Sequence, residues 1–159
     1  MISHRETRTV AYPAALMYAV VADVEKYPQF LPWVVSLRVL SRRENGLIAE
    51  MAVGYGALRE RYTSEVTLDP ARQRIDVVYI QDRKKAGLFK TLENHWRFTP
   101  RKDERGEEGC DVEFSIAFEF RSRLLHSVAG HAFEKVMLKM ADAFEARAAA
   151  LSRKPSLSL

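Results

Sequence analysis

The sequence predicts an α+β fold, a helix-grip arrangement in which a curved antiparallel sheet of about seven strands holds one long C-terminal helix. Three observations predict it. The stretch from Ser122 to Leu151 contains no proline and carries apolar side chains at a spacing of three and four. Upstream of it, runs of period two are joined by short connections, which makes neighbouring strands antiparallel. Most of those runs have one apolar face, and the terminal helix is the only element large enough to cover the sheet they form.

Taken in order, residues 2–11 read as a polar strand of weak periodicity, half exposed. Pro13 suits the first turn of a helix, where a missing N–H is not needed. Leu16, Met17, Val20, Val21 and Val24 then give a short amphipathic face. In EKYPQFLPW (25–33), Pro28 and Pro32 forbid a long helix. Tyr27, Phe30, Leu31 and Trp33 still make a dense apolar cluster, which must fold back on a core or cover an opening.

From Val34 the period switches to two, and Val35, Leu37 and Val39 share a face before a turn at Glu44–Gly46. Leu47, Ala49, Met51, Val53 and Tyr55 share the next face, with Gly54 and Gly56 marking a kink or bulge. Tyr62, Val66 and Leu68 follow, opposite Arg59, Arg61, Thr63 and Glu65. Arg74 to Asp82 is apolar on both faces, so its inward side stays open. After the loop RKKAGLFK, Leu92, Asn94, Trp96 and Phe98 alternate with Glu93, His95 and Arg97. Beyond the charged turn Arg101–Gly109 comes the clearest strand, with Val112, Phe114, Ile116, Phe118 and Phe120 on one face.

The terminal helix would span roughly 45 Å at 1.5 Å per residue. Ser122 is its expected N-cap, and Glu134, Lys135, Lys139, Asp142 and Glu145 fall off its apolar stripe. Phe133, Met137 and Met140 either fill an ordinary core or also wall a cavity, for which flexible thioethers are well suited.

At 159 residues the chain reads as one domain, 1–151, followed by a disordered tail, 152–159. A hydrophobic fraction of 47% with 29% charged residues fits a soluble globular protein. No apolar run approaches the roughly 18 residues of a membrane span, and the charged N-terminus lacks the apolar segment of a secretory signal. The single cysteine, Cys110, excludes an internal disulfide and fits a reducing, bacterial cytoplasm. The net charge of +4 matters mainly by its location, since Arg83, Lys84, Lys85, Lys90, Arg97, Arg101 and Lys102 face only Glu93 in that stretch. Such a patch suits an anionic membrane, an RNA or plain solvation.

Catalytic groups are sparse. His126 and His131 are five apart, roughly 140° around a helix, which is poor for a shared metal. No nucleophile elbow, phosphate-binding loop or HExxH motif occurs. No catalytic residue and no metal ligand is therefore assigned, and no cofactor is required. The expected apolar cavity is lined by Tyr62, Trp96, Phe118, Phe133 and Met137, with Met140 beyond them on the helix and Phe30 and Trp33 covering the opening. The inward polar candidates are Tyr62, Ser64 and Asn94, which suit a ligand carbonyl or hydroxyl but are equally normal in a core. In the basic loop, Lys84, Lys85, Leu88 and Phe89 form an expected membrane-facing tip, unless Phe89 turns inward to close the core.

The chain resembles the coenzyme Q-binding START-like proteins, relatives of the polyketide cyclase/dehydrase domains with a START/Bet v 1-like fold. The resemblance covers nearly its whole length. It rests on DVEKYPQFLPW (23–33), ERYTSEVT (60–67), GLFKTLENHWRFTP (87–100), CDVEFSIAFEFRSRLL (110–125) and, after Met140, AFEARA. The first of these is the specific one. Val34 departs from the pattern, since many relatives carry cysteine after the tryptophan. The resemblance implies a non-enzymatic carrier or chaperone that binds ubiquinone or a related isoprenoid lipid beneath the helix, in support of respiratory electron transport. Such a protein would be cytoplasmic and peripherally associated with the inner face of the cell membrane, with no DNA partner. Some relatives are ribosome-association toxins, which implies the large ribosomal subunit as an alternative partner. The cyclase relatives imply an enzyme as a third possibility.

Overall fold

The computed structural model describes residues 2–56, 58–82, 84 and 87–153. In chain order they form β1 (Ile2–Val10), α1 (Ala14–Ala22), a 3-10 turn (Val24–Lys26), α2 (Tyr27–Phe30), β2 (Val34–Arg43) and β3 (Gly46–Tyr55). There follow β4 (Leu58–Asp69), β5 (Arg74–Ile80), β6 (Phe89–Lys102), β7 (Glu108–Phe120) and α3 (Arg123–Arg153). The strands make one seven-stranded antiparallel sheet in the order β1-β7-β6-β5-β4-β3-β2. Short connections keep β2 to β7 adjacent in sequence order. The helical segment after β1 carries the chain across to the far edge, so β1 pairs with the last strand, from Ile2 opposite Phe118 to Val10 opposite Cys110.

The sheet curves around α3, whose buried stripe of Ala129, Phe133, Val136, Met137, Ala141, Phe144 and Ala148 follows the helical spacing in the sequence. Ser122 caps it as expected, its Oγ accepting from the Leu125 N–H at 3.2 Å. The helix continues through Ser152 and Arg153, and residues 154–159 of the expected tail lie outside the described residues.

β1 turns a polar face inward. Arg8 Nη1 donates to Asp142 Oδ1 at 2.8 Å and to Glu145 Oε1 at 2.9 Å, both on α3. Its Nε and Nη2 donate to Glu6 Oε2 at 3.0 and 2.7 Å, and His4 Nε2 lies 3.0 Å from Glu6 Oε1. A strand that looks half exposed by sequence is therefore bound to the helix by charge.

Three one-residue bulges break the alternation of the sequence, at Val35 and Leu40 in β2 and at Lys90 in β6. In β2 the pairing steps from Val34–Val53 to Ser36–Ala52, so Val35 is the extra residue. Val34 is buried and Val35 is 64% exposed, whereas uninterrupted alternation with Leu37 and Val39 would put Val35 inside. In β6 the pairing steps from Phe89–Phe120 to Thr91–Glu119, leaving Lys90 as the extra residue and turning Phe89 to the same side as Leu92. Of the two glycines expected to mark a kink or bulge, Gly54 stays in register with Arg59. Gly56 instead turns the chain with φ of +59°. At the other end of β3, a Cβ on Gly46 would lie 2.1 Å from the Val66 carbonyl oxygen, so this close approach of β3 to β4 requires glycine.

Candidate functional site

Between α3 and the β2–β4 side of the sheet lies a cavity of about 100 Å³. Its floor is built from the inward positions of consecutive strands, including Leu37, Ala49, Met51, Val53, Tyr62, Ser64 and Val66. Its roof is Phe133, Val136, Met137, Met140 and Phe144 of α3. Val24, Tyr27, Leu31 and Trp33 close one end, and Tyr55 and Leu58 flank the β3–β4 turn at another. The space exists because the floor carries small side chains at Ala49, Val53, Ser64 and Val66, which do not reach the helix. Drug-sized ligands fill a few hundred Å³ or more, so a guest of that size displaces lining side chains. Met51, Met137 and Met140, unbranched and flexible, are the ones best able to give way.

The cavity is apolar with a few polar points. Burial raises the Tyr62 hydroxyl well above the usual phenol range, helped by the Glu60 carboxylate, so it stays a neutral hydrogen-bond donor. Burial likewise raises Tyr27, whose hydroxyl donates to the Val21 carbonyl oxygen. Asn94 donates through Nδ2 to the Ser115 carbonyl oxygen at 3.0 Å and accepts from Trp96 Nε1 at 2.8 Å. Ser64 is buried with an unpaired hydroxyl. The described residues bring no three potential metal-ligating side chains together.

Of the residues expected at this site, Trp33, Tyr62, Phe133, Met137 and Met140 meet around the cavity. Trp96 and Phe118 face inward but do not line it. Trp96 packs on Phe114 at 4.6 Å and Phe144 at 5.0 Å between ring centroids, held by its bond to Asn94. Phe118 packs among Phe89, Phe120 and Phe133. Phe30 lies outside, against Tyr27 and Phe144, with the Arg147 guanidinium 5.2 Å over its ring. Sequence reasoning passed over Val136 and Met51 as lining residues, although both stand at the correct helical or strand spacing. Leu58 gave no signal, because its role comes from the turn that precedes it.

The membrane-facing tip also needs correction. Phe89 is fully buried, 4.8 Å from Phe133 and 5.5 Å from Tyr62 between ring centroids, because the bulge at Lys90 reverses its side. Leu88 packs against the core, its N–H donating to Glu60 Oε2 at 2.6 Å and its carbonyl accepting from the Arg121 N–H at 3.0 Å. Lys84 is exposed, and Lys85 lies outside the described residues. Arg83 also lies outside the described residues, while Arg97 and Arg101 stand on the outer face of β6, where Arg101 pairs with Asp111 at 2.9 Å. Cys110 is buried, and that burial pushes its thiol up to about 11.

Residues 10–145 match the family described as polyketide cyclase/dehydrase and lipid transport. The chain belongs to that family. Among curated members, it is 35% identical over 147 residues to the mitochondrial coenzyme Q-binding protein COQ10 homolog B of Xenopus laevis, covering 92% of this chain and 58% of that protein. It is 32% identical over 151 residues to the ribosome association toxin RatA of Rickettsia prowazekii, covering 93% of this chain and 97% of that protein. The chain thus spans less than two thirds of the coenzyme Q-binding relative and nearly all of the ribosome-associated one. Among solved structures, the ZhuI aromatase/cyclase of Streptomyces sp. R1128 superposes with a TM-score of 0.82 at 20% identity, covering 97% of each chain. That likeness shows the helix-grip fold. No described helix is long and apolar enough to cross a membrane.

Proposed function

We propose that the chain binds a quinone of the coenzyme Q type, or a related isoprenoid lipid, in the cavity beneath α3, and carries it without performing a reaction on it. The observation that supports this reading best is the cavity itself, apolar, methionine-walled and set under the helix in a relative of a coenzyme Q-binding protein. A carrier of this kind serves respiratory electron transport and works at the inner face of the cell membrane. Its contact with anionic lipid falls on the first turns of α3, where Leu124 and Val128, four apart on one helix face, are 73% and 75% exposed beside Arg121 and Arg123. Mass spectrometry of lipids extracted from gently purified protein tests the reading. A quinone present in near-stoichiometric amount is the expected result, and its absence from protein purified out of quinone-replete cells counts against it.

A second reading is favoured by length. The ribosome association toxin is matched nearly end to end, and the outer sheet face sets Arg74 directly opposite Arg97, a basic pair suited to RNA. On this reading the partner is the large ribosomal subunit. Stoichiometric co-sedimentation with large subunits at physiological salt, lost on Arg74→Glu with Arg97→Glu, would decide for it.

A further inference from the structure

The polar groups around the cavity are not alike. The Tyr27 hydroxyl is committed to the Val21 carbonyl oxygen, and the Tyr55 hydroxyl accepts from Lys139 Nζ at 3.2 Å. Asn94 is engaged through both its nitrogen and its oxygen. Ser64 stands apart: it is 5% exposed, lines the cavity, and its hydroxyl has no hydrogen-bond partner. Among the described residues, the other buried side-chain oxygen without a partner is the Tyr18 hydroxyl, which lies away from the cavity. Buried hydroxyls in native proteins are nearly always paired, and an unpaired one is destabilising. Strand alternation aims this one: Tyr62, Ser64 and Val66 point toward α3 from successive inward positions of β4. Its neighbour across β3 is Ala49, whose single methyl leaves the space above Ser64 open.

We propose that Ser64 is the specificity-determining residue of this cavity, its hydroxyl donating a hydrogen bond to a carbonyl oxygen of a quinone ring. The inference rests on the quinone-binding reading above and adds to it the group that separates a quinone from a hydrocarbon of the same shape. An apolar wall alone discriminates weakly between the two. A buried donor that is unpaired until a carbonyl arrives discriminates strongly, because only the quinone satisfies it. The rest of the lining, apart from the Tyr62 hydroxyl and the already engaged polar groups, then accepts ring methyls and tail by packing.

A matched pair of ligands tests this. Equilibrium dialysis of the full chain with 2,3-dimethyl-1,4-naphthoquinone and with 2,3-dimethylnaphthalene compares the same shape with and without carbonyls. The wild-type protein is expected to hold the quinone about tenfold more tightly than the hydrocarbon. Ser64→Ala should lose that preference, weakening the quinone by about five- to tenfold and leaving the hydrocarbon within about twofold. The melting temperature of Ser64→Ala should equal or exceed that of the wild type, since no protein hydrogen bond is removed. Wild-type protein that holds both ligands equally overturns the inference, as does an Ala variant that keeps the preference, weakens both ligands together, or melts several degrees lower. Wild-type protein that takes up neither ligand instead overturns the quinone-binding reading on which the inference stands.

Discussion

The two halves of the grip hold the same helix by different means. On the β6–β7 side, Phe89, Trp96, Phe98, Phe114, Phe118 and Phe120 fill the space beneath α3 ring against ring, and β1 adds the charged seam through Arg8. On the β2–β4 side the floor sets small Ala49, Val53, Ser64 and Val66 between Leu37, Met51 and Tyr62, and a cavity remains. The sheet and helix are continuous across both. Side-chain volume at equivalent inward positions is what separates a packed core from a binding space, which means stability and ligand capacity should be alterable separately.

The largest expected effect lies in the packed half. Phe118→Ala removes a fully buried ring with three aromatic neighbours among the described residues, and should cost about 3–5 kcal/mol. At roughly 2–4 °C per kcal/mol for a chain of this size, thermal melting should fall by about 6–20 °C. Ligand affinity, measured well below the melting range, should change little. A large loss of affinity in the folded variant would show that the two halves are coupled.

The next effect belongs to the open half. Met137→Trp fills the roof of the cavity and should abolish quinone uptake in dialysis, with a stability cost within the roughly 1–3 kcal/mol of an overpacked site. Retained uptake in the folded variant would place the binding space elsewhere.

This division was only partly legible in the sequence. The helix stripe, the strand meander and four of the cavity residues, Tyr62, Phe133, Met137 and Met140, follow from spacing, because a period of two or of three and four fixes which side chains face inward, while Ser122 and Trp33 were legible from residue type and clustering. Spacing cannot say whether an inward side chain fills space or borders it. Trp96 and Phe118 share the parity of Tyr62 and differ from it in being enclosed by aromatic rings, whereas Tyr62 has the small Ser64 and Val66 beside it on its own strand. Val35 and Phe89 show the other limit. Val35 is the extra residue of one bulge and Phe89 lies beside another, and neither bulged position is a glycine or proline that would announce it. Phe30 marks a third, since α2 is too short for a periodic pattern and its packing on Phe144 is purely tertiary.

The charged seam of the packed half gives a smaller, pH-dependent effect. Burial alone would raise the Glu6 carboxyl, but hydrogen bonds from His4 and Arg8 outweigh it and hold Glu6 below the usual glutamate range. A carboxyl with a lowered folded-state pKa contributes stability that is fully present above its unfolded value of about 4.3 and is lost as pH falls through the folded value. Denaturant melts from pH 7 down to pH 3 should therefore show a loss of stability concentrated below about pH 4.3. Arg8→Met should cost about 1 kcal/mol at pH 7 and flatten that acid limb. An unchanged acid limb in Arg8→Met would mean that other carboxylates carry it.

The smallest effect on stability is expected at the matching position of the open half. There, α3 is joined to the β2–β5 strands by one hydrogen bond among the described residues, Lys139 Nζ to the Tyr55 hydroxyl at 3.2 Å, with the ammonium 5.4 Å over the same ring. Both groups are largely solvated, so the contact contributes at most about 0.5–1 kcal/mol. Tyr55 nevertheless lines the cavity beside the β3–β4 turn, where a guest that displaces Met140 must separate strand and helix. Lys139→Met should leave the melting temperature within about 2 °C and raise the stopped-flow association rate of the quinone several-fold, because the separating step no longer breaks a polar contact. Arg8→Met, on the opposite side of the helix, should leave that rate unchanged. If Arg8→Met accelerates binding and Lys139→Met does not, the helix lifts from its charged seam and the assignment of the two halves is reversed.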